Sequence, residues 1–500
     1  MADEVLFTGA EEPSRLSRMV RRGELRRLAT GVYTTNLVDP IEEVARRNWP
    51  TITSHFCPGA LIADRSVPIG QPDSQGQLFV VANRVRPVQL PGLTIIPRRG
   101  PGPLPDDMPY LHGLFISSIP RALVENQRSS RSVKGRPSRT LREAELADWV
   151  DSIVRNYDEA RVKKFRARAR EVAEELGMME EGGRADRMIG AALQTQKVTT
   201  ASGSLAARQF GVPYDPAREP LFDSLYTALD RQAPMTIVAW DEDAPRRETL
   251  PFWEAYFSNF IEGTEFTVDE AIGIVYRNEI PRGRPADAHD ILDTYRVVAD
   301  DNEMSLRPST FAEFEELLLR RHRLVMLGRP ESRPGEYKEV PNQAGSTLFV
   351  RPELVRGTLV RGWDRLALLP SPAQRAFFAT FLVAEVHPFA DGNGRTARVM
   401  MNAELHAGGE MRVIVPIIYR NEYLDALRRL SRQGDADLLI RVLSFARRYT
   451  AAVDFSDTEV ARRQLAATNA FVSPDEALTR GLHLILPSTF IEGQRFNERS

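Results

Sequence analysis

The residues best equipped for chemistry stand in one string, His387-Pro388-Phe389-Ala390-Asp391-Gly392-Asn393-Gly394-Arg395-Thr396-Ala397-Arg398. Gly392-Asn393-Gly394 ahead of a helix frees backbone N–H groups to face an anion, and the helix N-terminus adds partial positive charge. Arg395 and Arg398 are three residues apart at that same end, so both reach toward one anion, and a guanidinium fork matches phosphate oxygens in pairs. Asp391 precedes the loop and can hold Mg²⁺, which usually rides on polyphosphates. His387, with an ordinary pKa of about 6.5, is a competent base near neutral pH. The string reads as a kit for holding a triphosphate and moving a proton.

Two looser readings of the same letters fail. Gly392-x-Gly394-x-x-Ala397 satisfies the dinucleotide fingerprint, but it follows helical text and lacks a βαβ setting. Asp391-Gly392-Asn393 has the opening of a calcium loop, yet Arg395 falls where a ligand belongs.

The elements that must position this string are helical. Ser371-Pro372 gives an N-cap and a first-turn proline, and the helix they start ends near Val386, delivering His387. Pro388 forces a turn. A second helix starts near Gly394 or Arg395 and runs to the Gly408-Gly409 stop, and two more follow around Glu422–Arg432 and Asp435–Tyr449. Upstream, Phe252 to Ile261 is an aromatic-rich helix that Gly263 can close. Ser258 and Glu262, four apart, share one face of it. Thr267-Val268-Asp269-Glu270 offers a capping box, as does Ser456-Asp457-Thr458-Glu459. Asp287–Val297 and Phe311–Met326 are further amphipathic helices, and Thr347–Val350 is a short exposed strand after a turn-rich stretch.

The bulk numbers set bounds. A chain of 500 residues divides into several domains. A net charge of −2 gives no whole-chain push toward nucleic acid or membrane, so any basic surface is local. The single cysteine, Cys57, excludes an intrachain disulfide framework and a cysteine-based zinc site. The longest apolar run, Ala376 to Val386, contains Thr380 and Glu385 and is shorter than the ~20 residues of a membrane span. A secretory signal is not evident at Met1. A cytoplasmic protein without a membrane partner is expected, and a homo-oligomer is compatible with the text.

The first residues form a local basic surface. Arg15, Arg18, Arg21, Arg22, Arg26 and Arg27 surround a helix with Leu16, Met19 and Val20 on one face. Gly23 ends it, and Leu25–Tyr33 alternates like a hairpin. Helix, turn, basic segment and β-wing is the order of a winged helix, so residues 13–33 are a candidate DNA contact. A solvated basic face is the alternative. Residues 126–142 read as a flexible basic linker, and in the charged helical text of 141–195 Gly182-Gly183 reads as a break.

Resemblances add to this reading. The text from Ser14 to Tyr33, together with Ile116–Val124, resembles the N-terminal domain of abortive-infection type antitoxins and related regulators. The string 387–398 matches the Fic family motif H-P-F-x-[D/E]-G-N-G-R-x-x-R at every defined position. The likeness extends over roughly 250–450, including "HDILDTYR" and "IVPIIYRNEYLDAL". It implies an all-helical Fic core with a short β-hairpin flap, next to an N-terminal α+β winged-helix-like domain, a mainly α chain. The domains expected are 1–125 (winged-helix-like), 126–215 (linker and helical connector), 216–450 (Fic, with an inhibitory helix at 250–263) and 451–500 (C-terminal helices).

The Fic resemblance implies transfer of AMP from ATP to a protein hydroxyl. His387 is then the base, Asp391 holds Mg²⁺, and Gly392, Asn393 and Gly394 form the anion cradle. Arg395 binds phosphate and Arg398 receives the γ-phosphate. The flap around 345–350, with Thr347 and Leu348, borders the nucleotide and pairs with a target segment by strand addition. Relatives place an asparagine before the Gly434-Asp435 pair; here Ser431, Arg432 and Gln433 stand there, which leaves the base contacts open.

Ser258-x-x-x-Glu262-Gly263 matches the family's inhibitory motif. A Glu262 carboxylate on Arg398 would occupy the arginine that a γ-phosphate needs. Ser488-x-x-x-Glu492-Gly493 fits the same pattern, and Glu262 is preferred because it continues into family-like text. Some braked relatives also remove AMP. The competing reading is a DNA-binding regulator whose Fic core only senses nucleotide; the intact His387 and Asp391 argue against it, because sensing needs no base. A third keeps the enzyme and changes the donor nucleotide.

Overall fold

The computed structural model describes residues 4–8, 13–132, 137–232, 248–345 and 347–487. They fall into two compact units, 1–211 and 212–500.

The first unit is α+β. Val5–Phe7, Val32–Thr34 and Arg26–Ala29 form a small antiparallel sheet in that order. The Pro13–Arg21 helix seats Leu16 against Leu25 and Tyr33 beside it, and Gly23 turns the chain at φ +75. A six-stranded mixed sheet follows, with Gln77–Val81 and Leu93–Arg98 parallel at its centre. The sequence reading stopped at the hairpin and missed this sheet. Leu61–Ile62 and Phe115–Ile116 are two-residue strands, too short to show a period of two, and all five residues of Gln77–Val81 are buried, which hides the alternation.

Two local expectations in this unit are corrected. The helix Met179–Ala192 runs straight through Gly182-Gly183. A Cβ at Gly182 would lie 2.4 Å from the Ala173 Cβ, so the glycine serves close approach of the neighbouring Glu159–Glu175 helix. The described parts of the 126–142 linker are tied down rather than free. Leu141 N–H donates to the Asn126 side chain, Thr140 N–H to Ser130 Oγ, and Arg139 pairs with buried Asp64 at 2.8 Å.

Among the described residues, the second unit is helical apart from one two-stranded hairpin, Gln343–Ala344 with Thr347–Leu348. Its main core surrounds the Pro372–Val386 helix, whose Phe377, Phe378, Phe381 and Leu382 are all buried. A second core surrounds the Leu250–Ile261 helix through Phe252, Trp253, Tyr256 and Phe257. The capping boxes at Ser371/Gln374 and Thr267/Glu270 are both formed. The helix at Thr458–Ala467 is capped by Asp457, which accepts from the Glu459 and Val460 N–H groups, and not by Ser456. No helix among the described residues is long and apolar enough to cross a membrane.

Candidate active site

The 387–398 string is the turn between two packed helices, Pro372–Val386 and Asn393–Ala407. His387 closes the first in the left-handed region at φ 52, ψ 60, and its N–H donates to Val383 O. That conformation is uncommon for any residue but glycine, although Asn, Asp and His take it more often than the rest, and surrounding contacts help to hold it. Asn393 locks the turn from within: its Oδ1 accepts from Phe389 N–H and its Nδ2 donates to Phe389 O, both at 2.9 Å. Gly392 caps the second helix at φ 73, and a Cβ there would meet Met326 Sδ at 2.4 Å. The first N–H groups of that helix have no intrahelical acceptor, which makes this end the candidate anion cradle.

The two arginines of the string take different partners. Arg395 is buried and pairs at 2.6 Å with Asp290, on the Pro285–Val298 helix. Arg329 clasps the same carboxylate through Nε and Nη2. Arg395 Nη1 makes that ion pair, while its Nε is buried with no hydrogen-bond acceptor among the described residues. Arg398 turns to the Leu250–Ile261 helix: Nε donates to Ser258 Oγ at 2.9 Å, and Nη2 to Ser258 O at 2.8 Å and to Glu262 Oε1 at 2.7 Å.

Glu262 therefore meets Arg398, 136 residues away in the chain. Its carboxylate also covers the cradle, because a Cβ on Gly394 would lie 2.1 Å from Glu262 Oε1. Burial works to raise the Glu262 pKa, but Arg398 outweighs it, with Arg395 and His387 adding, and holds it below the usual range. The charged form is thus the one that occupies the site. Gly263, at φ +89, ends the helix, with Thr264 N–H donating back to Asn259 O. Ser488, Glu492 and Gly493 lie outside the described residues.

His387 is held in its neutral form. Burial lowers its pKa to about 4. Nδ1 lies 3.2 Å from Ala384 O, an acceptor, so Nδ1 carries the proton and Nε2 keeps its lone pair. The ring stacks on Phe349 at 3.6 Å between centroids. Asp391 has a side chain 55 % exposed beside the cradle, and its Oδ1 accepts from Gly392 N–H. Among the described residues no group of three or more metal-ligating side chains gathers. One half-exposed carboxylate next to an anion cradle suits a Mg²⁺ that arrives on substrate phosphates and completes its shell with their oxygens and water.

Several groups here were not singled out from the sequence. His322, fully buried, accepts from Gly335 N–H at Nδ1 and meets Asp391 O at 3.0 Å through Nε2, while its ring stacks on Phe389. Arg218 donates to Leu348 O in the hairpin and pairs with Glu385, two residues before the base. Arg432, where a family asparagine is missing, donates to Thr347 Oγ1. Asp435 pairs with Arg429 at 2.8 Å. Arg432 and Asp435 had been marked by the Gly434-Asp435 pair and Asp290 by its place in the "HDILDTYR" text; His322 and Arg218 are single polar residues without a pattern.

Fold and site together bring a buried histidine, a helix N-terminus and two arginines into one helical unit. Residues 312–405 match the Fic/DOC family, and the chain carries a Fic domain. Two similar proteins are the "Protein adenylyltransferase Fic" of Culex quinquefasciatus and the "Protein adenylyltransferase fic-1" of Caenorhabditis elegans. The first is 26 % identical over 234 residues, covering 45 % of this chain and 46 % of its own. The second is 26 % identical over 246 residues, covering 46 % of each. The chain thus spans about half the length of the curated relatives it matches. Among solved structures, a Fic-1 fragment from C. elegans aligns at 20 % identity over 64 % of this chain and 92 % of its own, with a TM-score of 0.36.

Proposed function

We propose that this chain is an autoinhibited, Mg²⁺-dependent protein adenylyltransferase that moves AMP from ATP to a Ser, Thr or Tyr hydroxyl of a target protein. The observation that carries the reading is the pairing of Glu262 with Arg398 over the cradle beside a neutral His387. In the reaction the target hydroxyl gives its proton to His387 Nε2 while its oxygen bonds to the α-phosphorus. The bond from that phosphorus to the α–β bridging oxygen breaks, and pyrophosphate leaves with the electron pair. The Gly392–Gly394 cradle and Arg395 hold the phosphates, and Arg398 takes the γ-phosphate once Glu262 lets go. Asp391 would hold a Mg²⁺ ion, which would supply charge neutralisation for the phosphates. The protein's own part is positioning and charge compensation, as in phosphoryl transfer generally.

The target segment pairs with the hairpin at 345–350, where Leu348 is 68 % exposed. Removal of AMP from the target, with Glu262 activating water, belongs to the same proposal. For the first unit the proposal is contact with duplex DNA through residues 13–33, supported by Arg15, Arg18, Arg21 and Arg22 lying exposed along one short helix and its turn.

The test is transfer from α-labelled ATP and Mg²⁺ to host proteins. Glu262→Gly is expected to label targets strongly, and His387→Ala added to it to cut the rate by roughly 10²–10⁴-fold. Equal labelling by parent and Glu262→Gly would sink the brake, and labelling that survives His387→Ala would sink the base. The DNA proposal predicts duplex binding that weakens steeply with salt, read by fluorescence anisotropy; no salt-sensitive binding would reject it.

A further inference from the structure

His387 ends its helix in the left-handed region, which is uncommon for residues other than glycine, and contacts from outside the helix hold the turn there. The surrounding contacts converge on the segment just before the hairpin. Lys338 N–H donates to Pro388 O at 2.9 Å. Lys338 Nζ donates to His387 O and to Asn342 Oδ1, each at 2.6 Å. Asn342 Nδ2 in turn donates to Phe389 O at 2.9 Å. One segment therefore grips three consecutive carbonyls of the turn. It also reaches the hairpin: Phe349 N–H donates to Asn342 O, Lys338 Nζ lies 5.9 Å from the Phe349 ring centroid, and that ring stacks on His387.

Lys338 is only 4 % exposed, and no carboxylate pairs with it among its described contacts. A buried ammonium held by neutral oxygens alone is costly, and burial, with Arg218 nearby, lowers its pKa to about 8. A methionine would fill the same space without that cost. Keeping a cation there makes sense if its hydrogen bonds to the turn are needed.

We propose that Lys338 is a positioning residue for the base: its ammonium holds the His387 carbonyl and, through Asn342 and Phe349, sets the imidazole according to how the hairpin is seated. A target segment that orders the hairpin would then also align the base. This inference rests on the adenylyltransferase reading above, and it adds a residue that acts without touching nucleotide. The charged groups around His387 are Lys338, Glu262 and Asp391; Lys338 opposes protonation of the ring, and the two carboxylates favour it.

The test uses the full chain carrying Glu262→Gly, with Lys338→Met and Lys338→Arg added separately. Three readouts are taken: AMP transfer to a labelled host target at saturating ATP across pH, ATP affinity by calorimetry, and His387 titration by ¹⁵N NMR. Lys338→Met is expected to lower transfer by roughly 100-fold, the scale of a small misplacement of a reacting group. ATP affinity should stay within about twofold, because Gly392–Arg398 are untouched. The His387 titration and the acidic limb of the rate should move up in pH, since a neighbouring positive charge is gone. Lys338→Arg should return both toward the parent. Unchanged transfer in Lys338→Met, a loss shared equally with ATP affinity, or a His387 titration that stays put would each overturn the inference. If the Glu262→Gly parent transfers no AMP at all, the adenylyltransferase reading fails, while the His387 titration still reports on Lys338.

Discussion

The Leu250–Ile261 helix carries two glutamate–arginine pairs, and they are built differently. Glu254 and Arg412 are 5 % and 1 % exposed and lie 3.5 Å apart. Glu254 also accepts from Asn402 Nδ2, and Arg412 donates to Val298 O. Glu262 and Arg398 meet at 2.7 Å, with the Glu262 side chain 35 % exposed at the helix end. The first pair sits one turn before Ser258, inside the core; the second opens onto the cradle. A buried pair cannot lose a partner cheaply, whereas a pair at the rim can exchange its carboxylate for another anion. The difference teaches that Glu254 anchors the helix, and that under the proposed brake the exchange is confined to Glu262, the residue that caps it. On that proposal, release needs only the Glu262 carboxylate to swing aside, with the helix staying in place.

Mutations at the two ends should separate these roles. Glu254→Ala leaves Arg412 buried without its carboxylate and should cost about 3–5 kcal/mol of stability, read from denaturant unfolding. An effect below 1 kcal/mol would mean the helix is not anchored there. Glu262→Gly should raise AMP transfer by roughly 10–100-fold, the equivalent of one charge-assisted contact removed from the competing state. The same substitution should leave stability within about 1 kcal/mol of the parent, because the glutamate is partly solvated. If Glu262→Gly unfolds as readily as Glu254→Ala, the two pairs are not distinct. The smallest effect concerns pH. His387 sits near 4 rather than 6.5, so it stays deprotonated as pH falls from 8 to 5. Transfer by Glu262→Gly should hold across that range and decline only below about pH 4, because the substitution removes a carboxylate that favours protonation of the ring. An acidic limb centred near 6.5 would show a solvated ring.

Much of the site was legible in the sequence, and for a physical reason. Caps, glycine stops and the 387–398 string are local: Ser371, Thr267, Gly263 and Gly392 act on backbone within a few residues. Apart from Glu262 with Arg398, to which the inhibitory motif pointed, pairings over long separations left no such trace. Nothing in the spacing of Arg395 and Arg398 says that one turns to Asp290 and the other to Ser258. His322, Lys338 and Arg218 each hold a backbone carbonyl near the base, and a lone polar residue in helical or loop text looks like any solvated one. The six-stranded sheet was missed because its strands are short or buried on both faces. Gly182 was misread because a glycine that permits close helix packing is spelled like one that ends a helix.

The central claim is that Arg398 holds either Glu262 or a γ-phosphate. Calorimetric affinities for ATP and ADP, measured with the parent and with Glu262→Gly, test it most directly. With the brake in place the γ-phosphate finds no partner, so the parent should bind the two nucleotides about equally. In Glu262→Gly, ATP should bind roughly tenfold more tightly than ADP, one charge-assisted contact's worth. The same ATP-to-ADP ratio in both proteins would contradict the account.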